Sequence, residues 1–233
     1  MLFLHETHKV KGKCEDEFEA TMRDGWMKRL AEGDEARLLW YAHHAHGSGA
    51  SYQVVTVTGI ADGAWEGMAR RIQSGDLQQF MRDLDELRHD VEGKLLFPVY
   101  WSPIQSVDFA DVPTDGREHE LSLFMEDSGW PDVPLDEYIR FWDEGYYQVL
   151  NRYDVGSALL DIQACFQIAH GTHQRREAVL WQKIMKHDVL IHLLANEVAE
   201  EQRGPGSYMV EALAYRDQWR SRLLRTSAWS PLY

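Results

Sequence analysis

The sequence predicts an α+β protein in which one ferredoxin-like β-α-β-β-α-β unit occurs twice, the two antiparallel sheets facing each other as an intramolecular α+β barrel. Three observations lead there. LLFPVYWSPI, from Leu95 to Ile104, aligns without a gap on LLRTSAWSPL, from Leu223 to Leu232, at an offset of 128 residues. Ala45-His46-Gly47 recurs as Ala169-His170-Gly171 at an offset of 124, and Glu17-Phe18 with Gly25 recurs as Glu137-Tyr138 with Gly145 at an offset of 120. Hydrophobic periodicity then runs through the same order of elements in both halves, and a repeat of that length sets the fold. The expected repeats are residues 1–110 and 111–233.

In the first repeat, Met1 to Val10 is apolar and β-compatible, and Gly12 closes it before Glu15-Asp16-Glu17, an acidic cluster suited to a helix start. Phe18, Met22, Trp26 and Leu30 form one apolar stripe that Gly33-Asp34 ends. Ala36 to His46 and Tyr52 to Ile60, joined at Gly47-Ser48-Gly49, read as a hairpin. Asp62 is a candidate N-cap for a helical region that Gly75 divides, and Leu95 to Trp101 closes the unit as a strand. Pro113-Thr114-Asp115-Gly116 marks a linker over Gln105 to His119. The order restarts with a strand at Leu121 to Glu126 and a helix over Leu135 to Leu150. Hairpin strands follow at Leu159 to His170 and Ala178 to Met185, then a helix at Val189 to Glu201 and a helical stretch at Tyr208 to Leu224. The repeated Trp-Ser-Pro is expected to be each unit's closing strand, with Pro103 and Pro231 ending it.

Composition limits the function classes. A chain of 233 residues with 44% hydrophobic residues can bury a core, and a formal charge of -14 without a basic patch disfavours nucleic acid and anionic membrane surfaces. Apolar runs such as Leu95 to Tyr100 are too short to span a bilayer, and no signal-peptide pattern opens the chain, so a cytoplasmic location is expected. Cys14 and Cys165 lack disulfide or zinc spacing and read as reduced thiols. No GxSxG, GxGxxG or GxxxxGK[ST] signature is present.

The opening FLHETHKVKGKCEDEF resembles the first strand and helix start of NIPSNAP-like members of the dimeric α+β barrel superfamily. That resemblance implies two ferredoxin-like units closing a barrel around a pocket. The superfamily includes cofactor-free monooxygenases, muconolactone-type isomerases, polyketide cyclases and heme enzymes, so it does not choose a chemistry.

Strand alternation nominates the site. From Leu160 to His170 the apolar set Leu160, Ile162, Ala164, Phe166 and Ile168 suits contact with helices, which turns Asp161, Gln163, Cys165 and Gln167 toward the barrel. Aligning His46 with His170 turns Tyr41 and His43 the same way, and a histidine beside a tyrosine hydroxyl can move a proton at a carbonyl or phenol. Glu6 and His8 share a face of the first strand, and Glu126 lies on the polar face of its counterpart. Tyr41, His43 and Glu6 are therefore the expected catalytic residues, with Asp161, Gln163, Gln167, His8, Thr56 and Gln182 placing the substrate. His43 points opposite to His44 and His46, which argues against a metal site; heme or a metal ion is the alternative to a site without cofactor. The expected function is an enzyme acting on a small apolar or aromatic metabolite by acid-base chemistry, of isomerase, lyase, cyclase or monooxygenase type. A non-catalytic binding or assembly protein is the competing reading, and a homodimer of the whole chain is a further expectation.

Overall fold

The computed structural model describes residues 1–152, 159–171, 176–195 and 204–233. Eight strands carry the chain: β1 (Leu2–Val10), β2 (Ala36–His44), β3 (Gln53–Ile60), β4 (Arg88–Pro98), β5 (Leu123–Trp130), β6 (Leu160–His170), β7 (Ala178–Ile184) and β8 (Gln218–Thr226). They close into an antiparallel barrel in the order β1-β3-β2-β8-β5-β7-β6-β4. Corresponding strands of the two repeats stand four places apart around that ring, so a pseudo-twofold axis runs along the barrel. The repeats are stitched at two seams, where β2 pairs with β8 and β4 with β6.

Helices cover the outside. In the first repeat α1 (Glu15–Thr21) and α2 (Lys28–Ala31) flank a π-helical turn at Met22–Met27, followed later by α3 (Trp65–Ser74) and α4 (Gln78–Asp85). In the second, α5 (Leu135–Trp142) and α6 (Gln148–Leu150) flank a π turn at Asp143–Tyr147, followed by α7 (His187–Leu194) and α8 (Tyr208–Glu211). The repeated Gly25 and Gly145 lie in these π turns. Gly25 is needed for close approach: a Cβ there would lie 2.5 Å from Phe80 Cε2, on the ring that stacks against Trp26.

β2 and β3, packed between helices and barrel, are covered on both faces and are almost continuously buried. Phe18, Met22, Trp26, Leu38, Tyr41 and Val54 form the helix-facing core of the first repeat. Phe3, Trp40, Phe124, Phe166, Trp181 and Leu224, drawn from both repeats, fill the barrel. Met1, Ile104, Val107, Val112 and Leu232 pack against the barrel core, so linker and tail close one end.

Three departures from expectation bear on the site. β4 starts at Arg88, ahead of the expected Leu95, because it pairs with β1 from Val10 opposite Arg88 onward. Residues 218–226 are strand, not helix: they pair with β5 along their length and with β2 at their end, and ladder formation overrides local spacing. The Trp-Ser-Pro triplets follow β4 and β8 rather than forming them, and each docks on the opposite repeat. Trp101 Nε1 donates to Ile139 O at 3.0 Å, and Trp229 Nε1 donates to Glu19 Oε1 at 2.7 Å. Ser102 Oγ accepts from Cys165 N–H at 2.9 Å, and Ser230 Oγ accepts from Tyr41 N–H at 3.0 Å. The motif is a reciprocal clasp between repeats. Of the helix expected at Val189 to Glu201, residues 196–201 lie outside the described residues. Cys14 and Cys165 are free thiols.

Candidate functional site at the open end of the barrel

Register places the inward side chains in layers. Phe3 lies beside Leu96 and Phe124 beside Leu224, an apolar layer. One step toward the other end, His5 lies beside Lys94 and Glu126 beside Arg222; next come Thr7 beside Glu92 and Ser128 beside Arg220. Four pseudo-equivalent inward positions thus change from apolar to polar or charged within two residues, and the polar side faces the end that linker and tail leave open.

In the His5 layer each charge is paired. Glu126 is 0% exposed; its Oε1 accepts from Arg222 Nε at 3.1 Å and from Arg222 Nη2, and its Oε2 lies 2.7 Å from His5 Nε2. Arg222 Nη1 donates to Thr7 Oγ1 at 3.1 Å, and Lys94 Nζ donates to buried Glu177 Oε1 at 2.6 Å. Burial alone would raise the Glu126 carboxyl, but Arg222, then His5 and Lys94, outweigh it and hold the group well below its ordinary range. An ionised Glu126 fixes the His5 tautomer: Nε2–H donates to it, leaving a lone pair on Nδ1, which is buried without a hydrogen-bond partner. Burial, with smaller contributions from Lys94 and Arg222, lowers the His5 pKa against the pull of Glu126, so the ring is neutral near pH 7. His5, Thr7, Gly93, Lys94, Arg220 and Arg222 line a cleft of about 30 Å³, room for a water. Thr7, Arg220 and Arg222 also line a cavity of about 350 Å³ reaching His44, Ser48 and Gln53.

The expected site residues lie elsewhere. Tyr41 and His43 do not line the barrel; both face the helix layer. The His43 ring lies edge-on to Tyr41 at 5.4 Å, with Nε2 3.1 Å from Glu19 Oε2. Glu6, His8 and Thr56 lie under the first repeat's helices: Arg88 Nη1 donates to His8 Nδ1 at 2.8 Å, and His8 Nε2 lies 3.0 Å from Thr56 Oγ1. Gln182 occupies the corresponding place in the second repeat, accepting from Tyr146 OH at 2.8 Å and donating to Asp127 Oδ2 at 2.9 Å. Burial pushes Asp127 up to about 6. Asp161 and Gln163 bond each other at 2.6 Å beside a β-bulge toward the closed end, and Gln167 shares the helix-facing side with Cys165. Beyond that bulge Ala164, Phe166 and Ile168 turn into the barrel core, reversing the predicted faces of β6. The reason is general: apolar side chains are wanted both under helices and inside the barrel, so apolarity does not tell the faces apart.

His5, Lys94, Arg220 and Arg222 were not among the expected residues. Their signal is the repeat itself. Aligning Leu2-Phe3 with Leu123-Phe124 sets His5 against Glu126, and the repeated Leu pairs set Lys94 against Arg222.

No protein-family model matches the sequence, and no curated protein matches it. Among solved structures, a candidate monooxygenase from Lactobacillus acidophilus NCFM superposes with a TM-score of 0.57 at 9% identity, covering 99% of this chain and 97% of its own. The fold is the dimeric α+β barrel, built here within one chain. A candidate chlorite dismutase superposes on this barrel with a TM-score of 0.53 at 8% identity, over 98% of this chain and 96% of its own. A NIPSNAP domain protein from Burkholderia xenovorans aligns with 43% of this chain and 97% of its own at 19% identity, with a TM-score of 0.37. Under the second repeat's helices Tyr138, Trp142, Cys165 and Leu180 pack together in one apolar cluster between helix and sheet. Among the described residues no group of three or more His, Cys, Asp or Glu side chains is arranged to hold a metal ion, and no helix is long and apolar enough to cross a membrane.

Proposed function

We propose that the chain is an enzyme whose active site is the open end of the barrel, with His5 as general base and acid toward a small polar molecule. The observation that supports this is the buried charged layer: a fully buried carboxylate held between a guanidinium and an imidazole, beneath an open cavity. Such groups are rarely retained for stability, because well-packed apolar residues do as well or better. The chemistry follows from the geometry. Glu126 orients the neutral imidazole through Nε2–H and stabilises the imidazolium that forms when Nδ1 takes a proton; Arg222 keeps Glu126 ionised. Lys94 and Arg222 stand beside the cleft, where they stabilise negative charge developing on the substrate. Proton removal and return of this kind suits an isomerase or a lyase. The charged lining calls for a polar substrate in place of the apolar or aromatic one expected from sequence.

The test is turnover of a pooled metabolite library followed by mass spectrometry, with wild type, H5Q and H43Q in parallel. Conversion lowered by about 100-fold or more in H5Q and unchanged in H43Q is the expected result, that being the smaller end of general acid-base contributions. Equal turnover in H5Q, or none by the wild type, defeats the reading.

A further inference from the structure

Arg220 lies two residues before Arg222 on β8 and therefore shares its face, toward the barrel mouth. The other cations there are committed. Arg222 is held by Glu126 and Thr7, Lys94 by Glu177, and Lys9 by Asp90 at 2.9 Å and Glu92 at 2.7 Å. The Arg220 guanidinium has no hydrogen bond and no ion pair among the described residues; it lies 5.6 Å from the centre of the Trp130 ring. In a protein of net charge -14, one positive charge is left over at the mouth of a cavity of about 350 Å³.

His44 lines the same cavity, and neither ring nitrogen has a partner although both are buried. Burial, then the charge of Arg222, lowers its pKa to about 4, so it is neutral at physiological pH and can donate one hydrogen bond and accept another. The turn after β2 roofs it: a Cβ at Gly49 would lie 2.6 Å from His44 Nδ1.

We propose that this cavity binds a small hydroxy or oxo carboxylic acid, its carboxylate in the fork of Arg220 and its hydroxyl or carbonyl hydrogen-bonded by His44. The planar guanidinium matches a carboxylate with two parallel hydrogen bonds. A single uncommitted charge, with Glu92 on the same wall, disfavours a phosphate dianion. The inference rests on the barrel mouth being the active site, and it names what that site takes.

Calorimetric titration of the full chain with lactate, pyruvate, lactamide and inorganic phosphate tests it, using wild type, R220Q, R220K, R225Q and H5Q. Lactate or pyruvate should bind in preference to lactamide and phosphate. R220Q should weaken that binding about tenfold or more, as for a lost charge-assisted hydrogen bond, R220K should fall between, and R225Q should match wild type. Arg220 is exposed, so R220Q should retain the wild-type circular dichroism spectrum. Acids that bind no better than lactamide, equal binding by phosphate, or an R220Q affinity equal to wild type overturns the proposal. H5Q separates the two ideas: unchanged acid binding without turnover supports both, whereas unchanged binding with full turnover leaves the ligand assignment standing and removes His5 from catalysis.

Discussion

Replacing Glu126 by Gln tests the buried charged layer most directly. The substitution keeps the shape but removes the charge between Arg222, 6% exposed, and His5, 1% exposed. Arg222 then retains its bond to Thr7 and whatever the Gln carbonyl accepts, inside a barrel walled by Val57 and Trp181. Removing one partner of a buried ion pair destabilises by about 3–5 kcal/mol. That is a large fraction of the roughly 5–15 kcal/mol that holds a domain folded. At roughly 2–4 °C per kcal/mol for a chain of this size, the melting temperature should fall by about 6–20 °C. Scanning calorimetry and urea titration measure it. The double variant E126L/R222M, which replaces both charges by apolar groups, should recover most of the loss or exceed wild type. An E126Q chain within about 1 kcal/mol of wild type would refute the reasoning, since it would mean that water at the mouth already solvates Arg222.

The remaining predictions use other groups. Asp127 has its folded pKa raised from 3.8 to about 6 by burial, so its stabilising contribution is complete below pH 3.8 and is lost as pH rises through about 6. D127N should therefore be more stable than wild type at pH 7.5 by up to about 3 kcal/mol, the gain fading between about pH 6 and 3.8 in denaturant titrations at stepped pH. Tyr41 OH is buried without a partner, so Y41F should leave turnover intact and hold or raise stability by about 1 kcal/mol; a loss of turnover would return Tyr41 to the catalytic set. Because the His5 pKa lies below 6.5, the acid limb of kcat/KM for any substrate found should fall below pH 6.5, and a limb above it would contradict the assignment. In G129A the new Cβ would overlap Tyr138 OH, so urea titration should show a loss of about 1–3 kcal/mol from overpacking.

The duplicated order of elements was legible because each element carries its own period and stops. Phe18, Met22, Trp26 and Leu30 mark one helix stripe, and Gly47 to Gly49 mark the hairpin turn. The candidate site was much less legible. Tyr41 and His43 were assigned inward on the assumption that the polar face of a strand lines the cavity, whereas here the inner face begins apolar at Phe3 and Phe124 and becomes charged only at His5 and Glu126. The bulge between Ile162 and Ala164 then exchanges the faces of β6, a change of parity that spacing does not reveal. Arg220 and Arg222 were hidden by reading 218–224 as helix, since a strand held along its length by β5 needs no alternation of its own.

Sequence alone determined that one unit occurs twice and, through patterns local to each element, that the unit is a sheet backed by helices. Tertiary structure decided which side of each strand faces the barrel, because both sides are buried and apolarity cannot separate them. It also decided that His5 meets Glu126, 121 residues away, and Arg222, 217 residues away, to form one charged layer. The Trp-Ser-Pro repeat shows the division: its recurrence is written in the chain, but its use as a clasp, each copy bonded to the other half, exists only once the ring of strands has closed.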